Sequence, residues 1–299
     1  MKTHSQFPIK FVCPKCKQSL SYDENKYLCK LCNETYNTDD GMFVFLTNEQ
    51  KKELSNLITL NENDFIEYHN ADSRVHEKEV YESSGYLSRF FSGIIFSSED
   101  TILDLGCGRG HMSEYLLKNT EAKIISQDIV KRALLDTSNP HKLLASADKI
   151  PFEDNTFSMV ICVDVFEHLP PIMVPDVLME VYRILKPGGI FYLAFPGNNL
   201  PNISGLHVLN IFIRILRLFD KRIGVLETKE CAAHINMTYP HIMNKKLKKT
   251  GFKGKLHVNT IKFMSLPPKY IFLAKIVNVI PFNYFLNKEL TGKLVKPLF

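Results

Sequence analysis

A run of glycines between an apolar strand and a helix restricts the fold of this chain more than any other feature. Residues 102–105 form a short, mainly apolar strand that leads into Gly106, Gly108 and Gly110. A segment with helical character, residues 112–119, follows at once. Glycines let the backbone approach a ligand closely, and the amino end of a helix offers free N–H groups. The segment therefore predicts a nucleotide-type cradle between a strand and a helix.

Strands and helices alternate after this turn. A helix over residues 172–185 ends at a Lys-Pro-Gly-Gly sequence, which is a termination signal. Alternation of this kind predicts a parallel sheet with helices on both faces. Strands are predicted at residues 123–127, 143–148 with a turn, 160–163, 190–195 and 256–261, and a late helix at residues 240–250.

A carboxylate stands at the end of the second strand. Asp128 follows residues 123–127, one strand and one helix after the glycine turn. At that place a carboxylate accepts hydrogen bonds from both hydroxyls of a ribose. The alternative is that Asp128 caps the next helix.

The ordered blocks resemble the class I S-adenosylmethionine-dependent methyltransferases, specifically those with a type 11-like domain. The blocks are LDLGCGRG at residues 103–110, ADKIPF at 147–152, FEHL at 166–169 and LKPGG at 185–189. Ser158 departs from the family, which usually has Asp there. The resemblance runs over about residues 62–196 and implies an α/β fold with a doubly wound, mostly parallel seven-stranded sheet.

The same resemblance implies S-adenosylmethionine as cofactor and assigns its contacts. The glycine turn lines the methionine end, Asp128 holds the ribose, Ala147 and Asp148 border the adenine, and residues 163–166 close the pocket near the sulfonium. The cofactor-binding residues implied in this way are Asp104, Gly106, Cys107, Gly108, Gly110, Asp128, Ile129, Ala147, Asp148, Val163 and Val165.

Four of the seven cysteines form two close pairs near the amino terminus, Cys13 with Cys16 and Cys29 with Cys32. Two CxxC pairs at this spacing bring four thiolates together around zinc, with a short hairpin between them. Because so short a segment buries little apolar surface, metal binding would supply folding free energy. A redox role is the alternative, but a structural site consumes all four cysteines.

The stretch 11–46 resembles the zinc-ribbon modules that are fused to methyltransferases or act as their partners. It also resembles the zinc module of bacterial ribosomal-RNA guanine methyltransferases, although four cysteines stand here where that family often has a histidine. We divide the chain into a zinc ribbon (1–47), a linker with helices (48–98), a methyltransferase core (99–262) with an insertion at about 203–235, and a basic, apolar C-terminal extension (263–299).

Cysteine usage and charge indicate the surroundings of the protein. The cysteines do not form a disulfide framework and residues 1–12 contain no visible secretory signal, so we expect a reducing cytoplasm.

The net charge of +5 is unevenly distributed along the chain, because residues 201–299 carry 17 basic and 4 acidic side chains. Such a surface attracts phosphates of RNA, of anionic lipid or of a small substrate. The apolar segment 270–286 is too interrupted to span a membrane, but it suits peripheral contact.

Two histidines are candidate general bases for a hydroxyl acceptor. His168 follows the fourth strand at the mouth of the cleft, and His234 lies beyond the insertion. Each has the alternative of a buried or capping histidine. The sequence contains no Asn/Asp-Pro-Pro-Tyr/Phe block of the kind found in exocyclic-amine methyltransferases.

These features favour methyl transfer to a small-molecule, glycan-linked or lipid-linked acceptor. The first alternative is an RNA methyltransferase that grips phosphates with the zinc ribbon and the basic tail. The second is a scaffold or partner subunit that binds the cofactor without catalysis. The sequence leaves homo-oligomerisation open.

Overall fold

The structure is a computed structural model. It describes residues 9–24, 26–52, 87, 90–91, 93–196, 236, 238–259 and 289–298. The predicted insertion at 203–235, the apolar segment 270–286 and most of the helical region before residue 93 lie outside the described residues.

Bounds are defined for eleven strands and four α-helices in the described part of the chain. The strands are β1 (Ser21–Asp23), β2 (Lys26–Cys29), β3 (Glu34–Asp39), β4 (Met42–Val44), β5 (Thr101–Leu105), β6 (Lys123–Asp128), β7 (Lys142–Leu144), β8 (Phe157–Val163), β9 (Leu185–Pro196), β10 (His257–Asn259) and β11 (Glu289–Val295). The helices are α1 (His111–Asn119), α2 (Lys131–Asp136), α3 (Val174–Ile184) and α4 (Pro240–Thr250), and a 3-10 turn covers Phe166–His168.

All eleven strands belong to one sheet in the order β1-β2-β3-β4-β7-β6-β5-β8-β9-β11-β10. Strands β7, β6, β5, β8 and β9 are parallel, and β11 is antiparallel to both of its neighbours. Strands β5 to β11 thus form the mostly parallel, seven-stranded sheet that the sequence predicts. This α/β fold is confirmed.

The last strand lies beyond the boundary predicted for the core. Strand β11 pairs with β9 over seven residues, from Glu289 opposite Pro196 to Val295 opposite Ile190. Residues 289–295, in the region predicted as a C-terminal extension (263–299), therefore belong to the sheet. The sequence does not indicate this pairing, because backbone partners that are distant in sequence leave no local pattern.

The amino-terminal strands continue the same sheet. Strands β1 to β4 form an antiparallel meander, and β4 pairs in parallel with β7, with Val44 opposite Leu144. The predicted hairpin between the two cysteine pairs is β1 with β2. A helix begins at residue 48, where Thr47 and Gln50 each accept a hydrogen bond from the other's backbone N–H, a capping box.

Side chains from β5 supply both faces of the sheet, as expected for a parallel strand covered by helices. Leu103 and Leu105 pack in a cluster with residues of α3 and α4, such as Val177 and Leu247. Ile102 points to the opposite face and packs with α1, including Leu116. Every residue of β5 is buried.

Local signals end the helices close to where the sequence predicts. Helix α3 stops at Ile184, and β9 begins at once. Helix α4 ends at Gly251, whose φ of 108° is left-handed and whose N–H bonds to carbonyls of the last turn. Ser158, the departure from the family, joins β8 to β5 by hydrogen bonds with both backbone groups of Thr101, at 3.1 Å each.

Among the residues described, no helix is both long enough and apolar enough to cross a membrane.

Candidate functional site

The glycine turn lies at the carboxyl edge of the parallel strands, directly after β5. Gly106, Gly108 and Gly110 all have left-handed φ angles, of 70°, 52° and 83°. A Cβ on Gly106 would overlap the side chain of Val165, whereas one on Gly108 would meet nothing within 4 Å. The turn is therefore closely packed on one side and open on the other, where a ligand can approach the backbone.

Asp128 reaches from the end of β6 to the glycine turn. Its Oδ2 accepts a hydrogen bond of 2.8 Å from the Gly108 N–H, and its Oδ1 accepts one of 2.9 Å from Val130. Burial raises the pKa of Asp128, while these N–H donors and the charge of His168 oppose the rise. Each carboxylate oxygen keeps capacity for a further donor, so the group suits two ribose hydroxyls.

Gln127 joins the turn to the next strand, a role that the sequence analysis missed. Its Oε1 accepts a hydrogen bond from the Gly106 N–H at 3.1 Å, and its Nε2 donates to the Ala145 carbonyl. The side chain is buried. A polar residue inside a buried strand is the signal that could have revealed it.

A chain of buried polar groups fixes the start of α1 and was also missed. Asn139 Nδ2 donates to Ser126 Oγ at 2.9 Å, Ser126 Oγ donates to Ser113 Oγ at 2.7 Å, and Ser113 Oγ donates to Asp104 Oδ2 at 2.6 Å. Burial raises the pKa of Asp104 to about 6, although the Ser113 hydrogen bonds oppose this shift. The structure thus assigns Asp104 a positioning contact in addition to its place at the cleft.

The predicted adenine border lies in the turn after β7. Ala147 and Asp148 are half-buried, and Ser146 donates a short hydrogen bond to Asp148 Oδ1. The Lys149 N–H closes the turn on the Ser146 carbonyl at 3.1 Å. Parallel strand order places this turn beside the end of β6.

The other wall of the cleft follows β8. Asp164 has a left-handed φ of 53°, which bends the chain into the 3-10 turn that carries Glu167 and His168. Glu167 is buried, whereas the His168 side chain is 40% exposed, and Glu167 Oε1 lies 4.0 Å from His168 Nε2. The Asn236 side chain and N–H bond to the carbonyls of Phe166 and Glu167 at 3.0 Å each. His234 lies outside the described residues.

The remaining predicted cofactor residues differ in position. Val163, the last residue of β8, is half-buried on the face of α1. Ile129 is 39% exposed directly after Asp128. The Cys107 side chain packs against an apolar cluster that includes Leu134 and Leu144, while its N–H bonds to the Gln127 carbonyl at 2.8 Å.

The four amino-terminal cysteines converge. The Sγ atoms of Cys13, Cys16, Cys29 and Cys32 all lie within 4.8 Å of one another. Both pairs have the same backbone shape, because the residue after each second cysteine, Lys17 or Asn33, adopts a left-handed φ, 61° and 53° respectively. Such a set of four sulfur ligands is chemically suited to a tetrahedral metal ion.

The pKa values of the cysteine thiols differ because their hydrogen bonds and burial differ. Burial of Cys13 opposes ionisation, but hydrogen bonds from Tyr36 and the backbone outweigh it and lower its pKa to about 7. The Cys13 Sγ lies 3.4 Å from the Tyr36 hydroxyl. Hydrogen bonding with Cys16 and burial raise the pKa of Cys32 to about 12.

Part of the chain matches a known family. The family described as methyltransferase domain matches residues 103–193, which run from β5 through β9.

Curated relatives share the same region. The mitochondrial arginine-hydroxylase NDUFAF5 of Homo sapiens is 36% identical over 101 residues, covering 32% of this chain and 29% of that protein. The sterol 24-C-methyltransferase of Kluyveromyces lactis is 31% identical over 137 residues, covering 36% of each chain. The chain thus spans only about a third of the length of each of these two relatives.

Solved structures share the fold. Phosphoethanolamine N-methyltransferase 2 of Haemonchus contortus, in complex with S-adenosyl-L-methionine, matches with a TM-score of 0.51 at 17% identity, covering 78% of this chain and 59% of that one. At such identity the likeness is one of fold. Residues 103–193 accordingly match a methyltransferase domain.

Proposed function

We propose that the whole chain is an S-adenosylmethionine-dependent methyltransferase that acts on a lipid-linked, glycan-linked or other small acceptor. The observation that carries this proposal is the pairing of the glycine turn with Asp128. The carboxylate bonds to the Gly108 N–H at the edge of the sheet where the turn leaves space for a ligand. A nucleoside that carries an amino acid fits this arrangement.

The chain offers a group for each part of the cofactor. Asp128 takes the ribose, the turn at Ala147 and Asp148 borders the adenine, and the glycine turn receives the methionine end. When bound, the cofactor supplies an electrophilic methyl group on its sulfonium. The residues of the cleft orient the acceptor and exclude water.

His168 is the candidate base for a hydroxyl acceptor. Its half-exposed ring lies at the mouth of the cleft, beside the buried carboxylate of Glu167. A carboxylate at this place helps to orient the imidazole. His168 would take the acceptor's proton at Nε2 or Nδ1.

The acceptor class is inferred from two segments that leave the sheet beside the cleft. Pro196, at the end of β9, lies opposite Glu289, and Glu289 lies opposite Asn259, at the end of β10. Segments 197–235 and 260–288 therefore start at this carboxyl edge. Both are rich in apolar residues, and 260–288 contains four lysines and no acidic residue. An apolar and basic composition of this kind suits an acceptor with an apolar part and a phosphate.

We further propose that the cysteine cluster holds a structural zinc ion. The four thiols fit the preferred ligands of zinc, and the two left-handed residues after the pairs give the same geometry twice. All four positions would be occupied by the protein, so the metal would contribute to folding and not to methyl transfer.

A basic surface favours RNA as the second candidate acceptor. Six lysines stand in residues 240–259, a stretch without an acidic residue. They lie on α4 and in the loop after it, and most are exposed. RNA held by such a surface would dissociate steeply with rising salt.

Transfer of a labelled methyl group distinguishes these acceptors. The purified, zinc-loaded chain is incubated with S-adenosylmethionine labelled on the methyl group and with a fractionated extract. Label in the solvent-extractable fraction supports a lipid-linked or small acceptor, and label in RNA supports the second candidate. Cofactor binding without label in any fraction would contradict the catalytic proposal and favour a scaffold.

A further inference from the structure

The cysteine module, defined as residues 9–47, contacts the residues that follow the predicted adenine turn through its first strand-like segment. The Val12 N–H donates to the Pro151 carbonyl at 2.9 Å, and Phe11 forms an antiparallel bridge with Phe152. The rings of Phe11 and Phe152 are stacked with centroids 5.5 Å apart. The segment that carries Cys13 is thereby attached to the end of the adenine turn.

Lys17 makes a second attachment directly after the first cysteine pair. Its Nζ lies 2.6 Å from Glu180 Oε2 of α3 and 3.3 Å from the Ile150 carbonyl. The same Glu180 oxygen accepts hydrogen bonds from the Ile150 N–H at 3.0 Å and from Arg183 at 2.9 Å. Lys17 and Glu180 side chains are only 29% and 12% exposed, so solvent screens this pair less than a surface pair.

The module also holds the other end of the adenine turn. Val44 of β4 pairs with Leu144 of β7, and the Phe45 N–H donates to the Leu144 carbonyl at 2.8 Å. Residues 145–149, which include Ala147 and Asp148, therefore run between two points that the module fixes. Strand β4 fixes the first point, at Leu144. Lys17, directly after the first cysteine pair, fixes the second, at Ile150.

We propose that metal in the cysteine cluster and cofactor in the cleft bind cooperatively, because the folded module sets the position of the adenine turn. The inference rests on the proposed function. Loss of metal would release the segment that carries Cys13, Cys16 and Lys17, and with it one anchor of residues 145–149. By linkage, each ligand must then strengthen the binding of the other by the same factor.

The first test changes the anchor and leaves the cysteines in place. Lys17→Met removes the ammonium, and Lys15→Met, at an exposed position of the same turn, is the matched control. Affinity for S-adenosylhomocysteine is measured by calorimetry, zinc content by elemental analysis and folding by circular dichroism. We expect Lys17→Met to bind S-adenosylhomocysteine on the order of 10-fold more weakly, and Lys15→Met to match wild type. Equal affinities in folded Lys17→Met and wild type would overturn the role of Lys17.

The second test uses the unchanged chain and needs no variant. Zinc affinity is measured by competition with a chromogenic chelator, with and without saturating S-adenosylhomocysteine. Cooperative binding predicts tighter zinc in its presence, again on the order of 10-fold. Identical zinc affinities in the presence of bound S-adenosylhomocysteine would overturn the inference, whereas no binding of S-adenosylhomocysteine by the zinc-loaded protein would overturn the proposed function.

Discussion

The middle of the sheet and its amino-terminal end are stabilised in different ways. Strands β5, β6 and β8 lie in the middle and are buried on both faces, and a series of hydrogen bonds fixes the polar residues Asp104 and Ser126. Strands β1 and β2 of the cysteine module are short, and only three of the 13 residues of β1 to β3 are buried. If the cysteine cluster binds zinc as proposed, the parallel part folds around its apolar core, whereas the module depends on the metal ion and on its contacts with the parallel part.

Removal of one central thiol is expected to have the largest effect. Cys29 is fully buried, and its Sγ lies 3.5 Å from Cys16 Sγ. Cys29→Ser should lose the zinc equivalent, and the melting temperature should fall by more than about 10 °C, because metal binding supplies folding free energy. Cys162→Ala, at a buried cysteine of β8, should keep the metal. If the wild-type protein has the same melting temperature with and without zinc, the cysteine module does not depend on a metal ion. The two regions would then not differ in this respect.

Asp128→Ala should abolish most cofactor affinity and spare the fold. The change deprives the ribose of its acceptor and the Gly108 N–H of its partner. We expect the affinity for S-adenosylhomocysteine to fall on the order of 100-fold in calorimetry. The control Asp176→Ala changes an exposed carboxylate on α3. If both variants bind equally well, Asp128 does not hold the ribose.

The buried Asp104 gives the parallel region a distinct pH dependence. Its pKa of about 6 in the folded state lies above the ordinary value of 3.8, so the folded protein retains the proton more tightly. The free energy of unfolding should therefore fall as pH rises from about 4 to about 6, by about 2–3 kcal/mol from this group. In chemical denaturation, Asp104→Asn should lose that slope and exposed Asp23→Asn should keep it. The same slope in both variants would contradict the assignment.

An exposed ion pair should matter least. Lys131 Nζ on α2 lies 2.7 Å from Asp39 and 2.8 Å from Asp40 of the module, and all three side chains are well exposed. Because solvent weakens such pairs, Lys131→Met should shift the melting temperature by less than about 2 °C. Lys17→Met should shift it further. Equal shifts would mean that surface charges, and not buried contacts, attach the module.

Local patterns predicted much of this molecule from its sequence. The cysteine spacing, the glycine turn and Asp128 at the end of β6 are each recognised from a few neighbouring positions. The structure brings the cysteines into a four-thiol cluster and joins Asp128 to the glycine turn. The predicted bounds of strands and helices lie close to the observed ones, because they too depend on local patterns. The predicted helix over 172–185 is α3, Val174–Ile184.

Contacts between distant segments were not predicted. The pairing of β4 with β7 and of β11 with β9 is made by backbone groups, which carry no residue-specific signal. Gln127 and Ser126 were passed over because their partners lie elsewhere in the chain. The attachment of Lys17 to Glu180 joins residues 163 positions apart and shows no periodicity.

Equilibrium dialysis of the zinc-loaded 299-residue chain against methyl-labelled S-adenosylmethionine measures directly whether the chain binds the cofactor. The account predicts saturable binding of one cofactor per chain with a dissociation constant below about 1 mM, competed by unlabelled S-adenosylhomocysteine. Binding that does not saturate, or that S-adenosylhomocysteine does not displace, would contradict the assignment of the cleft as a cofactor site.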